Sequence, residues 1–391
     1  MKRTIKATFA LLAVVISLTI WASVNSYARN DAGLEEEIER VFKERKITAM
    51  SIAVVSDDSI IYSKSMGYRV LPDGTNPGIP VKDDDLYCLA SVSKTFIATA
   101  IMRLMQDKKL KLNDDAAKYI GFQLRNPKFP STPITIKQLL THTSGINDSY
   151  SWWCMDSINP GKTPNYFRCY SDTRDYKYCN LNYTLLSAVI EGATGRPLDT
   201  VVDSLILKPL DIKGGFNTIL LDENRIVTPY YHEKGKTKIN DYVIKRYNVL
   251  LPGKYKLLNS LNIVYSPAGM KISAPDLARF MMMHMNYGTL DGKRVLTSRS
   301  EREMQRNYVG DSNYGLSFRQ YTDLVPGKTL HGQTGGIPGV KTCMIFDPTT
   351  RTGYVIVTAG ADSDYIDGYG DIHKPLIKSL HKHLLENAKG N

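Results

Sequence analysis

Apolar and polar positions alternate along this chain with two different periods. Between Leu34 and Lys46 the residues Leu34, Ile38, Val41 and Phe42 recur at helical spacing among charges, which predicts an amphipathic helix. Two runs of strand character follow, Ala49 to Val55 and Ile60 to Tyr68. The turn residues Ser56-Asp57-Asp58-Ser59 between them make the pair a hairpin. A polar loop rich in Gly and Pro, Pro72 to Pro80, leads to Leu86–Thr99. There a short apolar run meets Ser91 and continues as an apolar helix carrying Phe96, Ile97, Ala98, Ile101, Met102, Leu104 and Met105.

From Ser91 to about Arg225 the period is mainly helical, with long irregular insertions. Ile134 to Gly145 reads as a capped helix stopping at the glycine. Asn182 to Thr194 and Leu198 to Leu210 read as further helices, separated by Gly195-Arg196-Pro197. Asp222 to Leu258 is basic, Tyr-rich and poorly periodic, the pattern of an excursion over the surface. Pro275 to Asn286 is helical again, its Met281–Met283 run reading as core filler. Strand character returns in Tyr314–Tyr321, Gly339–Phe346 and Gly353–Thr358, and a helix over about Asp371–Leu385 closes the pattern. Strands towards both ends with helices between predict an α+β fold: one antiparallel sheet built from both chain ends, flanked by helices, with an inserted mainly helical subdomain. The expected division is a sheet subdomain from residues 29–90 and 259–391 and a helical one from 91–258.

The first 28 residues stand outside that pattern. Lys2, Arg3 and Lys6 precede an apolar run from Ala7 to about Val24, and Ser26-Tyr27-Ala28 has the small-x-small form of a cleavage site, so a signal peptide is expected. A retained single-span anchor is the alternative. Losing the three cationic residues lowers the formal charge from +11 to +8. A basic exported protein carries a solvated cationic surface or associates with anionic envelope polymers; no nucleic-acid module is recognisable. Five cysteines in such a chain permit disulfides, and Cys154 and Cys169, bracketing a loop-like Trp- and Pro-containing segment, are expected to pair. No Cys or His spacing matches a metal site, and no cofactor is expected.

Candidate chemistry begins at Ser91. Residues three apart share a helical face, so the Ser91 hydroxyl and the Lys94 amine can meet at a helix N-terminus. Lysine desolvated by apolar walls loses its charge readily enough to activate a serine. The same S-x-x-K spacing recurs at Ser379–Lys382, in a stretch rich in Lys and His that reads as a solvated helix face. Tyr178-Cys179-Asn180 precedes a helix. Its tyrosine, held near Ser91 and Lys94, would serve as a phenolate base with its pKa lowered by cations, and Asn180 would bind a substrate amide. Gly332-Gln333-Thr334-Gly335-Gly336 lies directly before an apolar strand, where glycines admit a substrate backbone and a free N–H can hold an oxyanion.

These three motifs, in this order, resemble the penicillin-recognising serine enzymes, the branch holding class C β-lactamases, DD-peptidases, D-aminopeptidases and related esterases. Leu139–Gly145, Ser266–Gly269 with Asp276–Phe280, and Tyr314–Leu316 extend the resemblance over most of residues 34–385. It implies an acyl-enzyme mechanism. Ser91 is the nucleophile, Lys94 and Tyr178 share the proton transfers, and the backbone N–H groups of Ser91 and Gly336 form the oxyanion hole. Asn180, Gln333, Thr334 and Gly335 would bind a small-molecule or cell-wall peptide substrate. The family carries Lys or His where this chain has Gln333, which brings no charge to a substrate carboxylate. That departure favours esterase, aminopeptidase or amidase chemistry over β-lactamase action. His331, two residues earlier on an extended strand, points to the same side and is a candidate substitute.

Overall fold

Strand Ala49–Ser56 (β1) is buried along nearly its whole length, which is why its sequence runs apolar instead of alternating. It is an inner strand of a seven-stranded antiparallel sheet. The structure, a computed structural model, describes residues 31–148, 155–240, 255, 257–258, 265–363 and 369–386. The other strands are Ser59–Val70 (β2), Ile79–Pro80 (β3), Arg319–Tyr321 (β4), Leu330–Ile337 (β5), Val340–Asp347 (β6) and Thr352–Ala359 (β7). Their spatial order is β4-β5-β6-β7-β1-β2-β3. β1 and β7 pair from Ala49 opposite Ala359 to Ser56 opposite Thr352. Segments distant in sequence thus close one sheet, and the expected α+β fold forms.

Each sheet face buries its own set of side chains. On one, α1 (Ala32–Glu44) starts where the Asp31 carboxylate accepts the N–H groups of Gly33 and Leu34. It buries Leu34, Ile38 and Val41 against Met50, Ile52, Ile345 and Ile356. On the other lie α2 (Ser93–Gln106), α3 (Asn180–Thr194) and α4 (Ala274–Met285), packed with Ala53, Val55, Met344, Phe346, Val355 and Val357. α2 is buried on nearly every side. Its Phe96 stacks on Phe280 of α4 at 3.8 Å between centroids, which fixes the helix that begins at the candidate nucleophile.

Several expected elements take another form. Only Arg319–Tyr321 of the predicted strand Tyr314–Tyr321 is extended. Gly315 N–H donates to Phe318 O (2.6 Å) and Ser317 adopts φ +80°, so Leu316 and Phe318 reach the core from a tight loop. Burial, not strand pairing, explains their apolar character. The helix predicted to run to Gly145 is Ile136–Leu140, opened by a Thr135–Gln138 capping box and closed by Thr141. Leu198 to Leu210 is helical with a π turn at Asp203–Leu207. The last helix, α6 (Lys374–His381), is flanked by π turns. It follows α5 (Ser298–Gln305) in the helix order and packs beside α1. The surface excursion contains the hairpin Tyr230–Glu233 with Lys236–Ile239; residues 241–254 lie outside the described residues. So do the expected signal segment, residues 1–28, and Cys154, hence the predicted Cys154–Cys169 bond. Among the described residues no helix is long and apolar enough to cross a membrane.

Candidate active site

The sheet and the helices meet at Ser91. The short strand Tyr87–Cys88 pairs with Lys271–Ile272, and Leu89 donates its N–H to Met270 O (2.9 Å). Leu89 O in turn accepts the Thr342 hydroxyl of β6 (2.7 Å). Ala90 then adopts φ +46°, a left-handed conformation that costs a non-glycine residue roughly 1–2 kcal/mol. A 3₁₀ turn, Ala90–Val92, carries the chain into α2, so Ser91 stands on an elbow just ahead of the helix. β5 passes close by. A Cβ on Gly335 would lie 2.8 Å from Ser91 N and 2.5 Å from Leu89 O, an approach that only glycine permits.

Lys94 lies beneath Ser91 with no exposed surface. Its Nζ donates to Ser91 Oγ (3.0 Å), Asn180 Oδ1 (2.8 Å) and Pro267 O (3.0 Å). Burial brings its pKa down from 10.5 to about 7, against the opposing pull of Asp148. A substantial neutral fraction therefore exists near neutral pH, when the amine can accept a proton from Ser91.

Tyr178 is hydrogen-bonded to Ser91; 37% of the residue is exposed, yet desolvation of its hydroxyl in the cleft raises its pKa above the ordinary tyrosine value, outweighing that bond and the charge of Arg319. The expected phenolate base is thus corrected to a neutral phenol, which can donate a proton. His142, at φ +58°, holds this residue in place. Its Nδ1 accepts Cys179 N–H (3.2 Å) and its ring lies 4.4 Å from that of Tyr178. Burial, then the charge of Lys94, depresses the His142 pKa, so the imidazole is neutral. Asn180 is also tied into the protein. Its Oδ1 accepts from Lys94 and its Nδ2 donates to Asp148 (3.1 Å), which engages both ends of the amide within the protein.

The cleft above Ser91 has a volume of about 290 Å³ and is walled by Tyr176, Tyr178, Tyr314, Tyr321, Arg319, Gln333, Thr334 and Gly336. β4 pairs with Leu330–Gly332 of β5, so among the described residues the outer edge of Gln333–Ile337 has no strand partner. Unpaired peptide groups on such an edge can take up a substrate backbone or an oxyanion. Gln333 is nearly buried and donates to Tyr314 Oη (3.1 Å). His331 does share its side of the strand, since it stands opposite Phe346 as Gln333 stands opposite Met344. It is not among the residues lining the cleft, its ring lies against that of Phe346, and burial lowers its pKa. A cationic His331 in the cleft is therefore not what the structure shows.

Arg319 supplies a charge that the motifs did not reveal. It is exposed, lines the cleft and forms no ion pair among the described residues. A second cavity of about 310 Å³ shares Arg319, Tyr321, Thr334 and Gly336 with the first and extends towards Lys341 and His373. Asp148 and His142 were also missed as functional residues, although Leu139–Gly145, which contains His142, was recognisable as a motif. The only signal for Asp148 was its position three residues after Gly145. Among the described residues no cluster of His, Cys, Asp and Glu is placed to hold a metal ion.

Comparisons with known proteins agree with this arrangement. The Beta-lactamase family profile matches residues 34–372. The putative penicillin-binding protein PbpX of Bacillus subtilis is 25% identical over 409 residues, covering 96% of this chain and 94% of that protein. Esterase EstB of Burkholderia gladioli is 27% identical over 223 residues, covering 51% of this chain and 54% of the esterase, about half of its length. Among solved structures, EstCE1, a hydrolase with promiscuous acyltransferase activity, has a TM-score of 0.71 at 19% identity, covering 92% of this chain and 100% of that one. The D-amino acid amidase of Ochrobactrum anthropi SV3 has a TM-score of 0.67 at 21% identity, covering 91% and 99%; at these identities the likeness is one of fold. With the profile matched over most of its length, the chain belongs to the beta-lactamase family and is a serine hydrolase.

Proposed function

We propose that this chain is exported and hydrolyses an amide or ester of a D-amino-acid-containing cell-wall component, or of a related small molecule, through an acyl-enzyme. The observation carrying this reading is the Ser91 hydroxyl 3.0 Å from a fully buried Lys94 whose pKa is about 7. Neutral Lys94 takes the Ser91 proton as Oγ attacks the substrate carbonyl. The N–H groups of Ser91 and Gly336 hold the oxyanion. The Tyr178 phenol protonates the leaving amine or alkoxide and recovers its proton from Lys94. Water, deprotonated by the same pair, then releases the acyl group and restores Ser91. The amidase and esterase relatives support amide and ester substrates, and the signal-like first 28 residues support export.

A second reading draws on Arg319. Its exposed guanidinium offers a substrate carboxylate the charge that Gln333 lacks, which keeps DD-peptidase and β-lactamase action within the reach of this cleft. A panel of nitrophenyl esters, D-amino-acid amides, D-Ala-D-Ala peptides and nitrocefin, combined with fluorescent-penicillin labelling of wild type and Ser91→Ala, tests both. Serine-dependent turnover of an ester or amide is the expected result. Labelling without turnover indicates a non-catalytic penicillin- or wall-binding module, and the absence of both contradicts the enzymatic reading. Secretion is tested separately, by fractionating cells expressing the full chain. The mature protein is expected outside the cytoplasm, and retention in the cytosol overturns the export proposal.

A further inference from the structure

The segment Tyr178-Cys179-Asn180-Leu181 is held at four points by one carboxylate. Asp148 Oδ2 accepts Asn180 N–H (2.9 Å) and Asn180 Nδ2 (3.1 Å), while Oδ1 accepts Leu181 N–H (3.1 Å) and the Cys179 thiol (3.2 Å). Two of these donors are N–H groups of the first turn of α3, which have no acceptor inside the helix. The third is the side-chain amide whose other end receives Lys94 Nζ at 2.8 Å. A carboxylate only accepts, so it forces the NH₂ end of Asn180 towards itself and the oxygen towards Lys94. Reversing that amide would point its NH₂ at the amine and leave Lys94 one acceptor short.

We propose that Asp148 is a positioning residue of the active site: it sets the orientation of the Asn180 amide and thereby the hydrogen bonding of Lys94 under Ser91. The proposal rests on Ser91 and Lys94 being the reacting pair. Asp148 touches neither of them, and it acts through Asn180 and through its charge. The other groups facing Lys94 are the Tyr178 and Tyr183 rings, at 5.2 and 5.8 Å from Nζ, together with the Cys179 thiol, which burial and Asp148 keep protonated, and the neutral His142. Arg319 acts on Tyr178 and His142 from β4. Asp148 is the carboxylate whose charge favours the protonated amine.

Asp148→Asn keeps the size of the side chain and one acceptor for the start of α3, while removing the charge and the obligatory acceptor for Asn180. With any ester that the wild type turns over, kcat is expected to fall tenfold or more with KM changed less than threefold. The acidic limb of the kcat/KM profile should move to lower pH, because the charge favouring protonated Lys94 has gone. A merely structural role would lower the amount of folded enzyme without moving that limb. Asn180→Ala breaks the same relay with Asp148 left to hold the helix, so it should lose kcat alike, and adding Asp148→Asn to it should cost little more in kcat. It also serves if Asp148→Asn does not fold. An unmoved acidic limb, a change in KM alone, or full additivity of the two substitutions overturns the proposal. Activity surviving in Ser91→Ala would instead overturn the reading on which it rests.

Discussion

This molecule contains the spacing Ser-x-x-Lys at Ser91–Lys94 and at Ser379–Lys382, on helical segments packed against opposite faces of one sheet. At the first copy the lysine has no exposed surface, three oxygen acceptors surround its amine, and burial brings its pKa to about 7. The serine there is fixed on an elbow by the Thr342–Leu89 bond and by the close approach of Gly335. At the second copy the serine is half-buried at the end of α6 and Lys382 is exposed. The sheet face beneath α6 contributes Ile345, Tyr354 and Ile356 to an apolar core. Spacing only permits two side chains to meet; desolvation of the amine and a fixed hydroxyl turn that meeting into chemistry.

Paired substitutions break the comparison most sharply. Ser91→Ala should abolish ester turnover, by at least ~10⁴-fold in kcat/KM, whereas Ser379→Ala should stay within twofold of wild type. Lys94→Met should cost about 10²–10⁴ in kcat, and Lys382→Met nothing measurable. Lys94→Met carries a stability signature too. Because the folded-state pKa of Lys94 lies below its unfolded value, the unfolded chain binds more protons between about pH 7 and 10.5. Stability contributed through this group therefore rises with pH across that window, by at most about 1.4 kcal/mol per pH unit. Denaturant titrations should show that rise in wild type relative to Lys94→Met; parallel profiles would contradict the buried-amine account.

Smaller effects sharpen the description of the cleft. Arg319→Gln should raise KM for carboxylate-bearing substrates roughly tenfold or more, the worth of a charge-assisted hydrogen bond, and leave neutral esters nearly unchanged. Equal effects on both classes would remove Arg319 from substrate recognition. Thr342→Val should cost about 0.5–1.5 kcal/mol, the net worth of one hydrogen bond, since the Leu89 carbonyl keeps the Val92 N–H (3.2 Å), read as a lowered Tm. An unaltered Tm would show that the elbow is held by other contacts.

Features set by periodicity were the legible ones. The β1–β2 hairpin, α1, α3 and α4 follow from the spacing of their apolar residues, and Ser91, Lys94 and Tyr178 from short motifs next to helix starts. Properties that tertiary packing creates were not. Arg319 and Asp148 carry no local motif, and both come to the site only because β4 lies beside β5 and because the loop after Gly145 reaches the start of α3. Cations near Tyr178 follow from its neighbouring motifs, but the desolvation of its hydroxyl that outweighs them is created only by the folded cleft. Leu316 and Phe318 look like strand residues because a buried loop selects the same apolar side chains.

The central claim is that Ser91 is activated by a neutral Lys94. The acylation burst with a nitrophenyl ester, followed by stopped flow from pH 5 to 10 for wild type, tests it most directly. The account predicts a rate that rises with pH through a midpoint near 7, as Lys94 loses its proton. A rate independent of pH, or one rising only near the ordinary range of tyrosine or exposed lysine, would contradict it.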